Sequence, residues 1–398
     1  MLFLFKMKSR RYFNDLRKEP QWEKNLAPFL GADTVPHGDT IADLLAQMIE
    51  ADLEMVRTEG MRSLLRSRAL ESFRLLGRYY MVAFDGTQMY KFDQRHCEHC
   101  LTQTFTRKDG TKQTFYYHSV LEAKLVSPTG MAFSIATEFI ENTDPSASKQ
   151  DCELKAFYRL LPRLRAEFPR LSIVLLLDSL FAGAPTFALC EEYRYSYLIT
   201  FKEGAIPSIE SEFQALHSLT PENTKVVIQK KEGKEVHQTL RWVNQIDYEG
   251  HLLSVLEQIE RPLQPTPPQP EQTRFKWLTD LKLTQNNCST VANHGGRCRW
   301  KIENQGFNTQ KHGEFELEHP YSLHRTAWKL FYLLLQITHN WEQCVLFSTL
   351  FHQLKPPQAR TRRGLFERLR GIFLFVPLDW NQLWDVIRKP CQIRWDTS

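Results

Sequence analysis

The spacing of apolar residues along the chain changes near residue 78. Before that point, Ile41, Leu44, Leu45 and Met48 recur at three- and four-residue intervals, which predicts an amphipathic helix over about residues 39–48. A second helix is predicted over residues 61–76 and ends at a glycine. The first 40 residues carry three prolines and are expected to be loosely ordered. Residues 1–77 are therefore predicted to form a helical N-terminal region.

After residue 78, short apolar runs separated by turn residues predict strands. A helix is predicted between the fourth and fifth runs, over residues 149–167. Antiparallel strands followed by a strand–helix–strand unit are typical of a mixed α/β sheet, so α/β is the predicted fold class. The predicted strands cover residues 79–84, 113–118, 120–127, 131–139, 171–177 and 197–201.

The alternation of predicted strands and helices stops after residue 202. Residues 226–229 and 236–246 predict a long hairpin, a proline-rich linker follows over 262–270, and a further strand is predicted near Trp277. We divide the chain into a catalytic core (78–202 and 286–325), a β-rich insertion (203–285) and a helical C-terminal region (326–398). A short helix is predicted over 299–307 and a long apolar helix over 327–351.

Composition narrows the class of protein. The chain has 398 residues, of which 42% are hydrophobic and 12% aromatic, so it can bury a large core and is not a disordered protein. No segment approaches the length of a membrane span, and the apolar start is too short for a signal peptide. We therefore expect an intracellular protein without a membrane partner. The net charge of +5 is modest, but basic residues cluster in the first 18 residues and again at 360–370.

Eight cysteines in an intracellular protein are expected to be thiols. Cys97 and Cys100 form a C-x-x-C pair that could be half of a zinc site. Cys288, His294 and Cys298 could complete such a site if the fold brings them close. The alternative is that all of these thiols are free.

Three carboxylates, far apart in sequence, stand in contexts that favour a joint role. Asp85 follows the apolar run 79–84, Asp178 closes the run 171–177, and Glu303 lies in the predicted helix 299–307. An acid at the tip of a buried strand is costly unless a partner compensates its charge. Mg²⁺ is such a partner, because it binds through a few carboxylates and leaves room for phosphate oxygens.

These three segments resemble the DDE transposases of bacterial insertion sequences, in the branch that carries a β-rich insertion between the second Asp and the Glu. The matching residues are Ala83-Phe84-Asp85-Gly86-Thr87, Leu175-Leu176-Leu177-Asp178-Ser179-Leu180, and Arg299-Trp300-Lys301-Ile302-Glu303-Asn304 with the four residues that follow. The resemblance covers roughly residues 78–325. It implies an RNase H-like core that cuts transposon ends and joins them to target DNA with Mg²⁺, or Mn²⁺ as a substitute.

The resemblance also implies roles for single residues. Asp85, Asp178 and Glu303 fall on the metal ligands, and Arg299 falls on an arginine that contacts DNA phosphate near the cut. The fuller signature, Tyr-x2-Arg-x3-Glu-x6-Lys, is matched imperfectly. Gly296 stands in place of the tyrosine and Gln310 in place of the lysine. Lys311, one position later, is the residue expected to grip phosphate.

The implied partners are double-stranded DNA, as terminal inverted repeats and target, and a second copy of the chain in the DNA complex. The implied location is the bacterial cytoplasm, on the nucleoid when bound. Arg362 and Arg363, in the C-terminal basic cluster, are expected to contact DNA away from the cut. Trp300 is expected in the core.

Two other functional classes stay open. A catalytically silent or domesticated relative would bind DNA without cutting it. A structural zinc protein would instead be built around residues 96–100. Trp242 and Trp277, in the insertion, are expected to pack in the sheet, with stacking on a flipped base as the alternative. His118 and His319 are expected to be structural histidines.

Overall fold

The computed structural model of the protein describes residues 1–143, 146–147, 149–231, 234–263, 272–354, 360–389 and 393–395. The prolines of the linker at 264–271 and the turn at 232–233 lie outside these ranges. No helix in the described part of the chain is long and apolar enough to cross a membrane.

The N-terminal region is helical, as predicted, but the expectation of a loosely ordered start is wrong. It contains α1 (Arg10–Leu16), α2 (Pro20–Leu30), α3 (Gly38–Gln47) and α4 (Glu50–Arg66). The first two helices form because apolar residues between the charges bury a small core of their own. That core comprises Phe5, Met7, Phe13, Trp22, Leu26, Ala27 and Val35.

A ten-stranded mixed sheet forms the centre of the molecule. Its strands follow the order β2-β3-β1-β5-β6-β10-β9-β8-β7, and β4 pairs with β3. β1 runs antiparallel to β3 and parallel to β5, and β5 is parallel to β6, as the sequence predicted. The strands are β1 (Tyr80–Phe92), β2 (Leu101–Thr106), β3 (Lys112–Val126), β4 (Ala132–Ile140), β5 (Ile173–Leu177), β6 (Ser196–Thr200), β7 (Thr224–Lys231), β8 (Lys234–Tyr248), β9 (His251–Pro262) and β10 (Thr273–Thr279).

Two strands are longer than their apolar runs indicate. β1 continues past Asp85 to Phe92, so Asp85 lies inside the strand and not at its end. The two strands predicted over 113–127 are one strand, β3, because polar residues at its start pair with the exposed β2. The half-exposed first part of β3 and the largely exposed β2 form a hairpin arm.

The insertion is not a separate sheet. The helix α5 (Glu153–Glu167) precedes β5, and α6 (Ala184–Glu192) connects β5 to β6. Residues 203–285 then contribute α7 (Pro207–Leu219) and β7 to β10, and β10 pairs with β6. The inserted strands therefore extend the same hydrogen-bonded sheet. Trp242 and Trp277 are each only 2% exposed, which fits the expected packing role.

Residues 288–312 form a broken helical segment where one short helix was predicted. α8 (Cys288–Thr290) and α9 (Asn308–His312) flank the π turns Val291–Gly295 and Ile302–Phe307 and the 3₁₀ turn Gly296–Trp300. Such irregular helical turns are frequent at functional sites.

The C-terminal region is helical, as predicted. It contains α10 (Ala327–Leu346), α11 (Thr349–His352), α12 (Arg362–Phe375) and α13 (Trp380–Ile387). The α12 helix packs on α2 at the N-terminus, where Phe373 meets Phe5 edge to face. The two ends of the chain thus form one layer.

Alternation along β1 directs its side chains to two layers. Val82 and Phe84 pack with residues of α5, while Met81 and Ala83 pack with residues of the 288–312 segment and α10. By the same alternation, Asp85 belongs to the face covered by the 288–312 segment.

Candidate active site

The pairing of β1 with β5 brings two of the three acids to the same level. Val82 pairs with Leu175 and Ala83 with Leu176. Asp85 and Asp178 each lie two residues beyond the Ala83–Leu176 pair, on adjacent parallel strands. Both side chains are half-buried. The first two sequence-predicted ligands are therefore neighbours.

Asp178 also caps a turn. The strand β5 ends at Leu177, and a 3₁₀ turn follows over Ser179–Phe181. The Leu180 backbone N–H donates to Asp178 Oδ1 at 2.9 Å. This bond fixes the orientation of the carboxylate. The second oxygen, Oδ2, can then act as the ligand of a cation.

The 288–312 segment contributes Glu303 and Arg299. Its π turn Ile302–Phe307 packs on β1, since Ile302 and Phe307 belong to the same buried cluster as Ala83. Arg299 is 9% exposed, and its Nη1 lies 3.7 Å from Asp85 Oδ2. Its Nε is buried without a hydrogen-bond partner among the described residues. The guanidinium thus faces the acids with a donor unused.

A fourth carboxylate, Glu153, was missed by sequence reasoning. It is the first residue of α5, and it lies so close to Gly86 that any Cβ at position 86 would overlap its carboxyl group. Its half-buried carboxyl interacts with Asp178, which together with burial raises the pKa of Glu153. No local motif marks it, but Gly86 next to Asp85 was a usable signal, because glycine permits such a close approach.

The electrostatics of Asp85 reflect these neighbours. Burial, and then the carboxylates of Glu153, Glu303 and Asp178, raise the pKa of Asp85 to about 7, against the opposing effect of Arg299. A carboxyl group surrounded by like charges holds its proton more tightly. One nearby arginine does not balance four acids, so this site would gain from a bound cation.

The acids are close enough to influence one another but are not tightly gathered. Among the described residues, no three of them have carboxylate oxygens that all lie within 4.8 Å of one another. Like charges without a cation between them repel. Holding a metal ion would therefore require side-chain rotation at this end of the sheet.

The two departures from the transposase signature have physical reasons in the packing. A side chain at Gly296 would overlap the buried indole of Trp277, so a tyrosine does not fit there. Gln310 is fully buried and donates to Gln336 and His339 at 2.8 and 2.9 Å, where a lysine would bring a buried charge. Lys311 is half-buried, with Nζ 3.4 Å from Glu318.

The C-terminal arginines stand in different surroundings. Arg362 is half-buried and donates to Glu342 and to the backbone carbonyl of Gly313, and Glu342 also binds Lys6. Arg363 is exposed and pairs with Glu367 at 2.7 Å. Arg362 therefore joins the two ends of the chain, whereas Arg363 faces outward.

A cleft of about 880 Å³ lies on the outer side of the 288–312 segment. Its lining includes His294, Arg297, Trp300 and Lys301. The expectation that Trp300 is a core residue is wrong: the side chain is 50% exposed, and the Arg299 guanidinium lies 4.7 Å from its ring. None of the four acids is among the residues that line this cleft.

A second group of ligand-type residues lies elsewhere on the sheet. It joins His96, Cys97 and Cys100 of the loop after β1 to His118 of β3. Cys288, His294 and Cys298, the partners considered from sequence, are not in this group. His319 packs edge to face on Tyr321, in keeping with a structural role.

A scan against protein-family models and a search of curated proteins found no match to this chain. The assignment of a function therefore depends on the residues and their geometry.

Proposed function

We propose that this chain is a DDE-type DNA transposase, which cuts transposon ends and joins them to target DNA by metal-dependent phosphoryl transfer. The observation that carries the proposal is the position of Asp85 and Asp178 at one level of adjacent parallel strands, with Glu303 close enough to shift the pKa of Asp85. These are the three acids that the transposase resemblance singles out.

The topology supports an RNase H-like core. Such a core has three antiparallel strands, then a helix and two strands parallel to the first. Here β1, β3 and β4 are antiparallel neighbours, α5 follows, and β5 and β6 run parallel to β1. The resulting order, β4-β3-β1-β5-β6, places the first and fourth of these strands side by side, and these two carry the aspartates.

The residues present fit Mg²⁺. Half-buried carboxylates are the oxygen ligands that this ion prefers, and burial together with the neighbouring carboxylates raises the pKa of Asp85. Asp85, Asp178 and Glu303 would hold the metal, with Mn²⁺ as a substitute, and Glu153 is available as a fourth acid. When bound, such ions stabilise the charge on phosphate oxygens and activate the attacking hydroxyl or water.

The chain's own cations would place the DNA. Arg299 is held with its Nη1 3.7 Å from Asp85 Oδ2, so its guanidinium is placed to contact a scissile phosphate bound at the acids. Lys311 lies on the same segment, and Arg297 and Lys301 line the adjacent cleft. The exposed Trp300 offers a flat surface for a base. Arg363 is oriented for more distant phosphates in a homodimer that bridges two DNA ends.

The proposal is tested with DNA that flanks the coding region, where terminal inverted repeats are expected. We expect Asp85→Asn, Asp178→Asn and Glu303→Gln each to lower Mg²⁺-dependent strand cleavage by about 10²–10³-fold or more. DNA affinity and its salt dependence should be retained, because they depend on basic side chains. The exposed Asp33→Asn is the matched control.

Cleavage that persists in any of the three variants would remove that residue from the metal site. A wild-type protein that binds the flanking DNA but never cuts it, with Mg²⁺ or Mn²⁺, would favour the catalytically silent relative instead.

A further inference from the structure

Four ligand-type side chains near the end of β1 have no part in the proposed DNA chemistry. Cys97 and Cys100 lie in the loop between β1 and β2, with His96 beside them, and His118 extends from β3. Their ligand atoms all lie within 4.8 Å of one another. Two sulfurs and two imidazoles form one of the common ligand sets of structural zinc.

The individual distances fit a tetrahedron around one ion. With Zn–S near 2.3 Å and Zn–N near 2.05 Å, the edges of a tetrahedral site would be about 3.3–3.8 Å. Cys97 Sγ lies 3.2 Å from Cys100 Sγ and 3.4 Å from His118 Nε2. Cys100 Sγ lies 3.9 Å from His96 Nε2 and 3.9 Å from His118 Nε2. The two Nε2 atoms lie 3.2 Å apart.

Hydrogen bonding alone does not account for this arrangement. Cys100 is fully buried and His118 is 1% exposed. The Nδ1 of His118 has no hydrogen-bond partner among the described residues, so the polar contacts of this buried ring are those with the group. A thiol is a weak hydrogen-bond donor and a weak acceptor, so such contacts contribute little to stability. A shared cation would compensate the burial of Cys100 and His118.

The surroundings favour a closed, structural site. The rings of Trp328 and His118 lie 4.6 Å apart, and those of Phe92 and His96 lie 4.3 Å apart. Four protein ligands leave no position for a substrate, as in structural zinc sites. The group lies where the exposed hairpin arm of β2 and β3 leaves the sheet.

We infer that His96, Cys97, Cys100 and His118 bind one structural Zn²⁺ ion, which fixes the loop after β1 to β3 and sets the base of the hairpin arm. The site is separate from the carboxylates and does not depend on the proposed transposase activity. The neighbouring His99 is excluded from it, because its Nδ1 lies 3.0 Å from the backbone carbonyl of Asn142.

The test is the zinc content of the purified full-length chain, measured by mass spectrometry of the metal. We expect about one zinc ion per chain in the wild type. Cys100→Ser and His118→Ala should lower the content at least tenfold. Two controls should keep it: His99→Ala, in the same loop, and Cys152→Ser, at an exposed thiol outside the group.

A second measurement covers the case in which these variants fail to fold. Wild-type protein grown with Co²⁺ in place of Zn²⁺ should show the visible absorption of a tetrahedral site and the near-ultraviolet band of cobalt–thiolate bonds. The inference is overturned if folded wild-type protein holds neither metal. It is also overturned if Cys97 and Cys100 are recovered as a disulfide from reducing cells, or if both ligand variants retain zinc.

Discussion

The carboxylate site and the His/Cys group lie along neighbouring strands, with Asp85 on β1 and His118 on β3, but they differ in how their polar atoms are arranged. Asp85 pairs with Glu122 of β3, and His118 lies four residues along the same strand, about 13 Å away. The acids are half-buried and no three of the described ones come within 4.8 Å, whereas the four His and Cys ligands already do.

This difference follows from the charge of the ligands. Carboxylates are charged at neutral pH and separate when no cation lies between them. Burial, and then the neighbouring carboxylates, raise the pKa of Asp85 to about 7. Thiols and neutral imidazoles do not repel strongly and can be gathered by the fold in advance. The site proposed to admit metal and DNA is therefore open, while the site proposed to hold the fold is closed.

The largest expected effect separates the two sites by their metals. Transfer of the protein into buffer without divalent ions should lower strand cleavage by about 10³-fold, because the acids then lack the ion that stabilises the phosphate charge. Addition of Mg²⁺ or Mn²⁺ should restore it. Bound zinc and the thermal midpoint should stay unchanged through both steps, as measured by metal analysis and calorimetry.

Loss of zinc together with Mg²⁺ would mean that the two sites are not independent. Cleavage that continues without added divalent ions would contradict the role of the acids.

The sequence predicted most of the carboxylate site but only part of the His/Cys group. Asp85, Asp178 and Glu303 stand in recognisable local contexts, so their grouping could be predicted. Glu153 begins an ordinary helix, and its approach to Gly86 depends on how α5 packs on the sheet. The partner of Cys97 and Cys100 could not be found from spacing, because His118 is brought there by the pairing of β3 with β1 and β2.

The fold class and the order of most strands could likewise be predicted from local patterns, whereas the pairing of the insertion with the core sheet could not. Apolar runs located eight of the ten strands and missed β2 and β9, and the ends of the strands depended on pairing. The insertion joined the sheet because β10 pairs with β6, which no local pattern of residues reveals. Trp300 was expected in the core, yet it ends the 3₁₀ turn Gly296–Trp300 with a side chain that is 50% exposed.

A smaller expected effect concerns the free energy of unfolding, which should depend on the raised pKa of Asp85. The pKa of Asp85 in the folded protein, about 7, is above its ordinary value of 3.8. Stability linked to this proton is fully present below about pH 4 and is lost as the pH rises through 7. Asp85→Asn removes that loss, so without Mg²⁺ it should raise the free energy of unfolding by about 1–3 kcal/mol at pH 8.

The measurement is urea denaturation at about pH 3 and pH 8, with the exposed Asp33→Asn as control. The gain should vanish near pH 3, below the ordinary value of 3.8, because Asp85 is then mostly protonated in both folded and unfolded protein. An equal gain at both pH values would show that the substitution acts through packing and not through charge. A destabilised variant at pH 8 would contradict the strained arrangement altogether.

The smallest expected effect decides whether the open site has three acids or four. Glu153→Gln removes a charge beside Asp178 and Asp85 but none of the three acids of the transposase motif, so cleavage at saturating Mg²⁺ should fall by less than about tenfold. The Mg²⁺ concentration for half-maximal cleavage should rise, because one carboxylate that attracts the ion is lost.

Gly86→Ala should have a similar effect, since the new Cβ displaces the Glu153 carboxyl group. The two changes together should be no worse than either alone, because both act on one side chain. A Mg²⁺ titration of all three variants measures this. Additive losses would show that Gly86 serves Asp85 directly, and an unchanged titration in Glu153→Gln would leave the site with three acids.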